Sequence, residues 1–383
     1  MSVFSDESTR LREFPVSEKG IFLAHAGVTI LPQCASEAMI KHAEASCRQH
    51  QEFGDVLRDV SRTRGLCAQL IGAHPDEIAL LGPTSLGLSL FANGLDWEPG
   101  DEVVYYGDDY PANVYPWAAL ASRGVIARKL QPSLLGDITP ALVESVLTPK
   151  TCLVALASCH FLSGRRIDVD AIGQMLRARG VLFSLDAIQT LGAAPLSVEH
   201  VDFLSADAHK WMLGPLAIGI VYVAKRNFDI CRPTLLGAWN IKSPDFIAQE
   251  NIEFEETARR YEPGVLNITG MYGMKASLEM LLKIGLYKVQ ELILSNRDYL
   301  ETRLIDAGFE FLSPLAPEPL RSGILTTRHP QKDSSSLFAA LEKSGIVASL
   351  RTTRSGEKWI RFSPHFYNTH EEMARVADVL VGA

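Results

Sequence analysis

No apolar run in this chain reaches the roughly 18 residues of a helical membrane span. Its opening, Met1 to Arg10, is polar and charged where a signal peptide would carry an apolar core. A cytoplasmic protein with no membrane partner is expected. A basic surplus is also missing: 37 Lys and Arg stand against 45 Asp and Glu, a net charge of -8. That disfavours nucleic acid as a partner, while a local basic pocket stays possible. The six cysteines (Cys34, Cys47, Cys67, Cys152, Cys159, Cys231) form no CxxC pair and no zinc-like spacing. Buried free thiols and no metal site are therefore expected. Neither a GxGxxG turn nor a P-loop lysine is found at the strand ends, which argues against a dinucleotide-binding or P-loop protein.

What is present is an ordinary globular composition, 47% hydrophobic and 21% charged over 383 residues. That length exceeds the roughly 250–300 residues at which one core stops growing, so two domains are expected. Short apolar runs alternate with helical patterns at Glu77–Leu81, Glu102–Tyr106, Val125–Leu130, Cys152–Ala157, Val181–Leu185, Asp202–Ser205 and Ile218–Val223. This spacing predicts an α/β fold with a largely parallel sheet. The stretch from Arg232 to Gly264 reads as a long ordered loop. After Gly270 a helical period follows, with Val289, Leu292, Ile293, Leu300 and Leu304 on one face. The end of the chain reads as a small α+β unit: strands at Gly323–Thr327, Ile346–Leu350 and Lys358–Ser363, a helix from Ser334, and a last helix opened by the capping-box pair Thr369 and Glu372. The expected division is a large domain at 21–284 and a small domain made of 1–20 and 285–383.

Two strand ends carry the most chemistry. The run Val181–Leu185 ends in Asp186-Ala-Ile-Gln189, and 24 residues after Asp186 a second run ends in His209-Lys210. In an α/β sheet such clusters meet at the carboxyl edge, where ligands bind. A carboxylate and an amine in one pocket are what pyridoxal phosphate requires, the first to keep its ring nitrogen protonated and the second to join its aldehyde and move protons. Singly, Asp186 reads equally as a helix N-cap and Lys210 as a surface lysine. The turn Gly82-Pro-Thr84-Ser85 before a helical run fits a phosphate cradle or a plain N-cap. Tyr110 follows a strand end, where a ring could stack on a planar cofactor or only pack on its neighbours. Arg361, in an apolar strand, needs an anion, either a substrate carboxylate or a structural ion pair.

Together these residues resemble the class V aminotransferase group of fold-type-I pyridoxal phosphate enzymes, which includes cysteine desulfurases, kynureninases and isopenicillin-N-epimerase-like proteins. Asp186-Ala-Ile-Gln189, Ala208-His-Lys210, Ala112-Asn-Val-Tyr-Pro-Trp117 and Phe366-Tyr-Asn-Thr-His-Glu-Glu372 occur in the family's order over about residues 20–380. The resemblance implies a mainly parallel seven-stranded sheet with a small C-terminal domain, a pyridoxal 5'-phosphate cofactor and a small-molecule substrate that is an amino acid. It also implies a homodimer with shared active sites, in which Arg259–Gly264 reaches the neighbour. By the same resemblance Lys210 is the cofactor-linking lysine, Asp186 the ring-nitrogen partner, and Gln189 the contact to the phenolic oxygen. His209, Thr84 and Ser85 are implied phosphate ligands and Tyr110 the stacking ring. Arg361 is the implied α-carboxylate ligand and Arg351 a second substrate-site arginine.

Several positions depart from that pattern. The segment Arg351–Arg361 is short and lacks the desulfurase cysteine, so persulfide chemistry is not expected. Val265 stands where the family has a hydroxyl donor. Asp207 would face the phosphate unless it turns away or pairs with a cation, and Phe161 replaces an asparagine for which His160 could substitute. Ala217 replaces a glycine. Transamination ranks first among the expected reactions, ahead of C–S lysis and epimerisation, and a degenerate cofactor-free relative is the non-enzyme alternative.

Overall fold

Near-continuous apolar runs build one seven-stranded sheet in the computed structural model, which describes residues 3–50, 53–313 and 316–383. Met1 and Ser2 of the expected 1–20 segment lie outside them. The strands are β1 (Ile78–Leu80), β2 (Glu102–Tyr106), β3 (Ile126–Leu130), β4 (Thr151–Ala157), β5 (Leu182–Asp186), β6 (Phe203–Asp207) and β7 (Gly219–Val223). Their spatial order is β1-β7-β6-β5-β4-β2-β3, parallel throughout except for β7, which runs antiparallel to both neighbours.

Both faces of the sheet are covered, which is why its strands read as runs rather than as an alternation. Successive residues still serve opposite sides. Val104, Leu204 and Ile220 join one core, and Val103, Phe203 and Val221 join the other. The helix Thr84–Gly94 lies on the second face against β6, and Gly87 allows the approach. A Cβ there would stand 2.4 Å from Ser205 Oγ and 2.8 Å from Val221 Cγ2. This contact fixes the start of the helix beside the end of β6.

A second, antiparallel sheet has the order β10-β11-β9-β8, from β8 (Glu310–Phe311), β9 (Leu325–Arg328), β10 (Ser349–Thr352) and β11 (Lys358–Phe362). Leu300, Leu304, Leu337, Leu341, Val376 and Leu380 from three helices pack with Leu325, Ile360 and Phe362 of this sheet. The last helix, His370–Gly382, carries the expected capping box: Glu372 N–H donates to Thr369 Oγ1 and Thr369 N–H to Glu372 Oε2, each at 3.2 Å.

Four sequence expectations need correction. The run Ile346–Leu350 is two strands, because Ile346–Val347 pairs in parallel with Ile21–Phe22 while Ser349 begins β10. The helical stretch after Gly270 is two helices, Ile268–Ile284 and Leu286–Asp306, broken where Gly285 takes φ +89°. No regular helix follows Asp186, whose Oδ1 instead accepts from Ile188 N–H at 3.0 Å in a tight turn. The cysteines are all free, as expected, but only Cys67, Cys159 and Cys231 are buried, and Cys47 is exposed.

Replacing Gly87 with Ala should overpack the seam between the helix and the sheet. The urea midpoint should fall by the equivalent of about 1–3 kcal/mol, and an unchanged midpoint would show that this seam is loose.

Candidate active site

Register carries Asp186 to the carboxyl edge of the sheet. It pairs with Ala157 of β4 on one side and Ser205 of β6 on the other. Lys210 lies three residues beyond the end of β6, Tyr110 follows β2, and Thr84 opens the helix after β1. From the small sheet come Arg351 on β10 and Arg361 on β11. These six residues, with Ser85, Gln189 and His209, line one cavity of about 410 Å³. Every site residue nominated from the sequence is therefore on its wall.

Asp186 and Lys210 are both buried, at 3% and 7% exposure. Burial raises the Asp186 carboxyl to about 7, with the neighbouring Asp109 carboxylate acting in the same direction. Burial lowers the Lys210 amine to about 8, and the attraction of Asp186 only partly offsets this. Each group is thus poised near neutrality, where it can hold or release a proton. The Lys210 ammonium sits 5.3 Å from the centroid of the Tyr110 ring.

At one end of the cavity Thr84 and Ser85 form the first turn of their helix, where backbone N–H groups and the helix dipole favour an anion. Pro83, not Thr84, is the N-cap, and the Thr84 hydroxyl accepts from Asp207 N–H at 2.8 Å. The Asp207 carboxylate does not line the cavity. It pairs with His209, Oδ1 to Nδ1 at 2.5 Å, so the like charge expected to repel a phosphate is turned onto the imidazole ring. That bond leaves His209 Nε2 as the ring's remaining polar atom.

Gln189 is fixed at both ends of its amide: Nε2 donates to the Ala26 carbonyl at 3.1 Å, and Oε1 accepts from Trp211 Nε1 at 2.8 Å. One amide hydrogen is left over. Arg361 is buried, its Nη1 donating to the Phe161 carbonyl at 2.6 Å while Nε and Nη2 have no partner. His160 does not take the place of the missing asparagine. Its ring bonds the Asp108 carbonyl and Ser163, at 3.1 and 3.0 Å, and the Phe161 side chain faces the cavity instead. Ala217 lies in the turn before β7 at φ +59°, a conformation that favours glycine.

Two contributors were not anticipated. The segment Ala24–Val28 forms part of the wall, although nothing in its composition sets it apart. Asp109 is buried beside the site, accepting from Tyr110 N–H at 2.7 Å and from Asn113 Nδ2 at 3.1 Å. Sequence alone does not separate it from Asp108, which faces outward and pairs with Arg354 at 2.8 Å. That pair ties the β10–β11 hairpin to the loop after β2.

The donor set fits one kind of group. An anion cradle at one end, a buried amine and carboxyl in the middle, an aromatic ring near the amine and an unpartnered guanidinium edge match a phosphorylated, aldehyde-bearing heteroaromatic ring and an amino acid. The Aminotransferase class-V family profile matches residues 21–376.

The chain belongs to the class V aminotransferase family. Class V aminotransferases use pyridoxal phosphate, and the cavity has the groups to hold it. The chain is 27% identical over 374 residues to an uncharacterized aminotransferase of Bacillus subtilis, covering 95% of each protein. It is 26% identical over 369 residues to the isopenicillin N epimerase of Streptomyces clavuligerus, covering 91% of each. In fold it is similar to the apo cysteine desulfurase of Thermococcus onnurineus, with TM-score 0.91 and 22% identity over 100% of this chain and 99% of the other.

Capture of the cofactor's aldehyde requires a neutral Lys210 amine. The rate at which cofactor-free protein gains visible absorbance should rise with pH around a midpoint near about 8. A midpoint near the ordinary lysine value of about 10.4 would show that the amine is not desolvated.

Proposed function

We propose that this class V family member is a pyridoxal phosphate enzyme acting at the α-carbon of an amino acid, with transamination as its reaction. The observation that carries the reading is the meeting of the buried Lys210, Asp186 and unpartnered Arg361 edge in one cavity. The cofactor, when bound, supplies an aldehyde and an electron-withdrawing ring that acidifies the α-hydrogen of the amino acid joined to it.

The chain's own residues divide the remaining work. Thr84, Ser85 and His209 would hold its phosphate, Tyr110 would pack on its ring, and Gln189 would donate its free amide hydrogen to the phenolic oxygen. Asp186, as carboxylate, would keep a proton on the ring nitrogen. Arg361 binds the substrate carboxylate and so orients the α-hydrogen toward Lys210 Nζ, which removes it as general base. Epimerisation would return a proton to the α-carbon, whereas transamination would require that Lys210 Nζ not give it back there.

The β10–β11 hairpin bears on the sulfur alternative. Residues 351–361 contain no cysteine. The nearby Cys159 is buried and off the cavity wall, its thiol pushed up to about 11 by burial. A persulfide-forming nucleophile is therefore lacking here, and C–S lysis without one ranks below transamination.

A homodimer in the cytoplasm completes the reading. Leu216, Leu236, Phe246, Ile247 and Val265 are each more than half exposed, apolar side chains that a second copy would cover. Among the described residues no helix is long and apolar enough to cross a membrane.

Purified protein should show a visible cofactor band that amino acid substrates bleach while a keto acid accumulates. Lys210→Ala should abolish turnover, by at least about a thousandfold, and remove the band given by covalent attachment. A band unchanged in Lys210→Ala would overturn the assignment, and an inverted amino acid in place of a keto acid would replace transamination with epimerisation.

A further inference from the structure

Two guanidinium groups enter the substrate end of the cavity, and a single carboxylate would satisfy only one of them. Arg361 has Nη1 committed to the Phe161 carbonyl, at 2.6 Å. Its free edge is therefore Nε with Nη2, the side-on fork that takes both oxygens of one carboxylate in parallel hydrogen bonds. Both atoms are buried and unpartnered. An amino acid's α-carboxylate bound there leaves the Arg361 fork filled.

Arg351 remains. It is half-buried on the neighbouring strand, its Nε is buried without a partner, and it lines the same cavity. Its Nη2 and that of Arg361 each lie 3.7 Å from the point where a Cβ on Gly27 would stand, so the two groups converge on one small space that Gly27 keeps open. Among the described residues the only carboxylate on the cavity wall is Asp186, at the Lys210 end, and Asp207 is paired with His209. Arg354, on the same hairpin, is paired with Asp108. Neighbouring like charges in a low-dielectric cavity repel, and a second anion between them removes that cost.

Resting on the amino acid reading above, we infer that the substrate class is amino acids with an acidic side chain. Arg361 takes the α-carboxylate and Arg351 takes the side-chain carboxylate or an isosteric acidic group. Gly27 supplies the room between them, and Phe161, which replaces a polar residue, adds an apolar wall that offers no competing donor. Arg351 is on this account the residue that separates acidic from neutral substrates.

The test is equilibrium binding to the cofactor-loaded enzyme of amino acids that lack an α-hydrogen, read both by calorimetry and by the shift of the visible band. The probes are 2-methylaspartate, 2-methylglutamate and the neutral 2-aminoisobutyrate. At least one acidic analogue should bind about tenfold or more tighter than the neutral one, the scale of one additional buried ion pair. Arg351→Gln should reduce that preference to within about threefold, and Arg351→Lys, which keeps the charge and guards against a folding defect, should retain part of it. Arg361→Gln should weaken all three analogues.

Equal binding of neutral and acidic analogues by the unaltered enzyme would overturn the inference. So would an Arg351→Gln effect of the same size on all three, which would mean that both arginines hold one carboxylate. In either case the α-carbon chemistry would still stand. If the enzyme shows a cofactor band but no analogue perturbs it, the amino acid reading fails and takes this inference with it.

Discussion

Burial of one carboxyl and one amine at the edge of a parallel sheet is the constraint on which the rest of this molecule depends. Neither Asp186 nor Lys210 is stable there as an isolated charge, because desolvation penalises the ionised form of each. The protein answers with register and enclosure. Parallel pairing of β4, β5 and β6 leaves Asp186 no freedom to reach water. The turn after β6 brings Lys210 back over the same edge. A group left near its point of titration by burial exchanges protons readily with a bound cofactor, so the desolvation that weakens the fold locally is also what makes the site reactive.

Around that pair, charge is sorted by position rather than neutralised. The anion-binding end uses backbone N–H groups and a histidine already held by Asp207. The other end presents guanidinium nitrogens left without protein partners, Nε and Nη2 of Arg361 and Nε of Arg351. Asp109 belongs to neither end. It holds the Tyr110 backbone and, through Asn113, reaches Trp117 Nε1, a bond of 3.0 Å. Its charge also raises the Asp186 carboxyl. One buried acid thereby couples the placement of the Tyr110 ring to the protonation of Asp186.

The strand ends were legible because they depend on local signals: an apolar run must stop where a polar cluster starts, and Asp186, Gln189, His209 and Lys210 stand at such stops. Arg361 was legible for a related reason, since a cation inside an apolar strand demands an anion. What sequence could not show was orientation. His160 and Phe161 are adjacent, and which of them faces the cavity depends on the turn through Ser163, whose hydroxyl and N–H engage the imidazole. Asp108 and Asp109 pose the same ambiguity, resolved only by where Arg354 and Asn113 lie in space. Thr84 looked like a cap because it precedes a helix, yet Pro83 occupies that position and leaves the threonine hydroxyl to bind β6.

The small sheet shows how one fold can change its chemistry at a loop. A tight β10–β11 hairpin, closed by Thr353 N–H to the Glu357 carbonyl at 2.9 Å, is too short to carry a mobile nucleophile over the cavity. Arg354 then pins it to Asp108 and the Gly107 carbonyl, at 2.8 and 2.9 Å. Arg351 and Arg361 flank this hairpin on paired strands, so their spacing is set by backbone hydrogen bonds rather than by loop motion. Rigid spacing of two cations selects substrates by the separation of their anions, whereas a long loop would select by what its own side chain attacks. On the proposed reading, the short hairpin leaves no cysteine over the cavity and, through the same geometry, sharpens a binding preference.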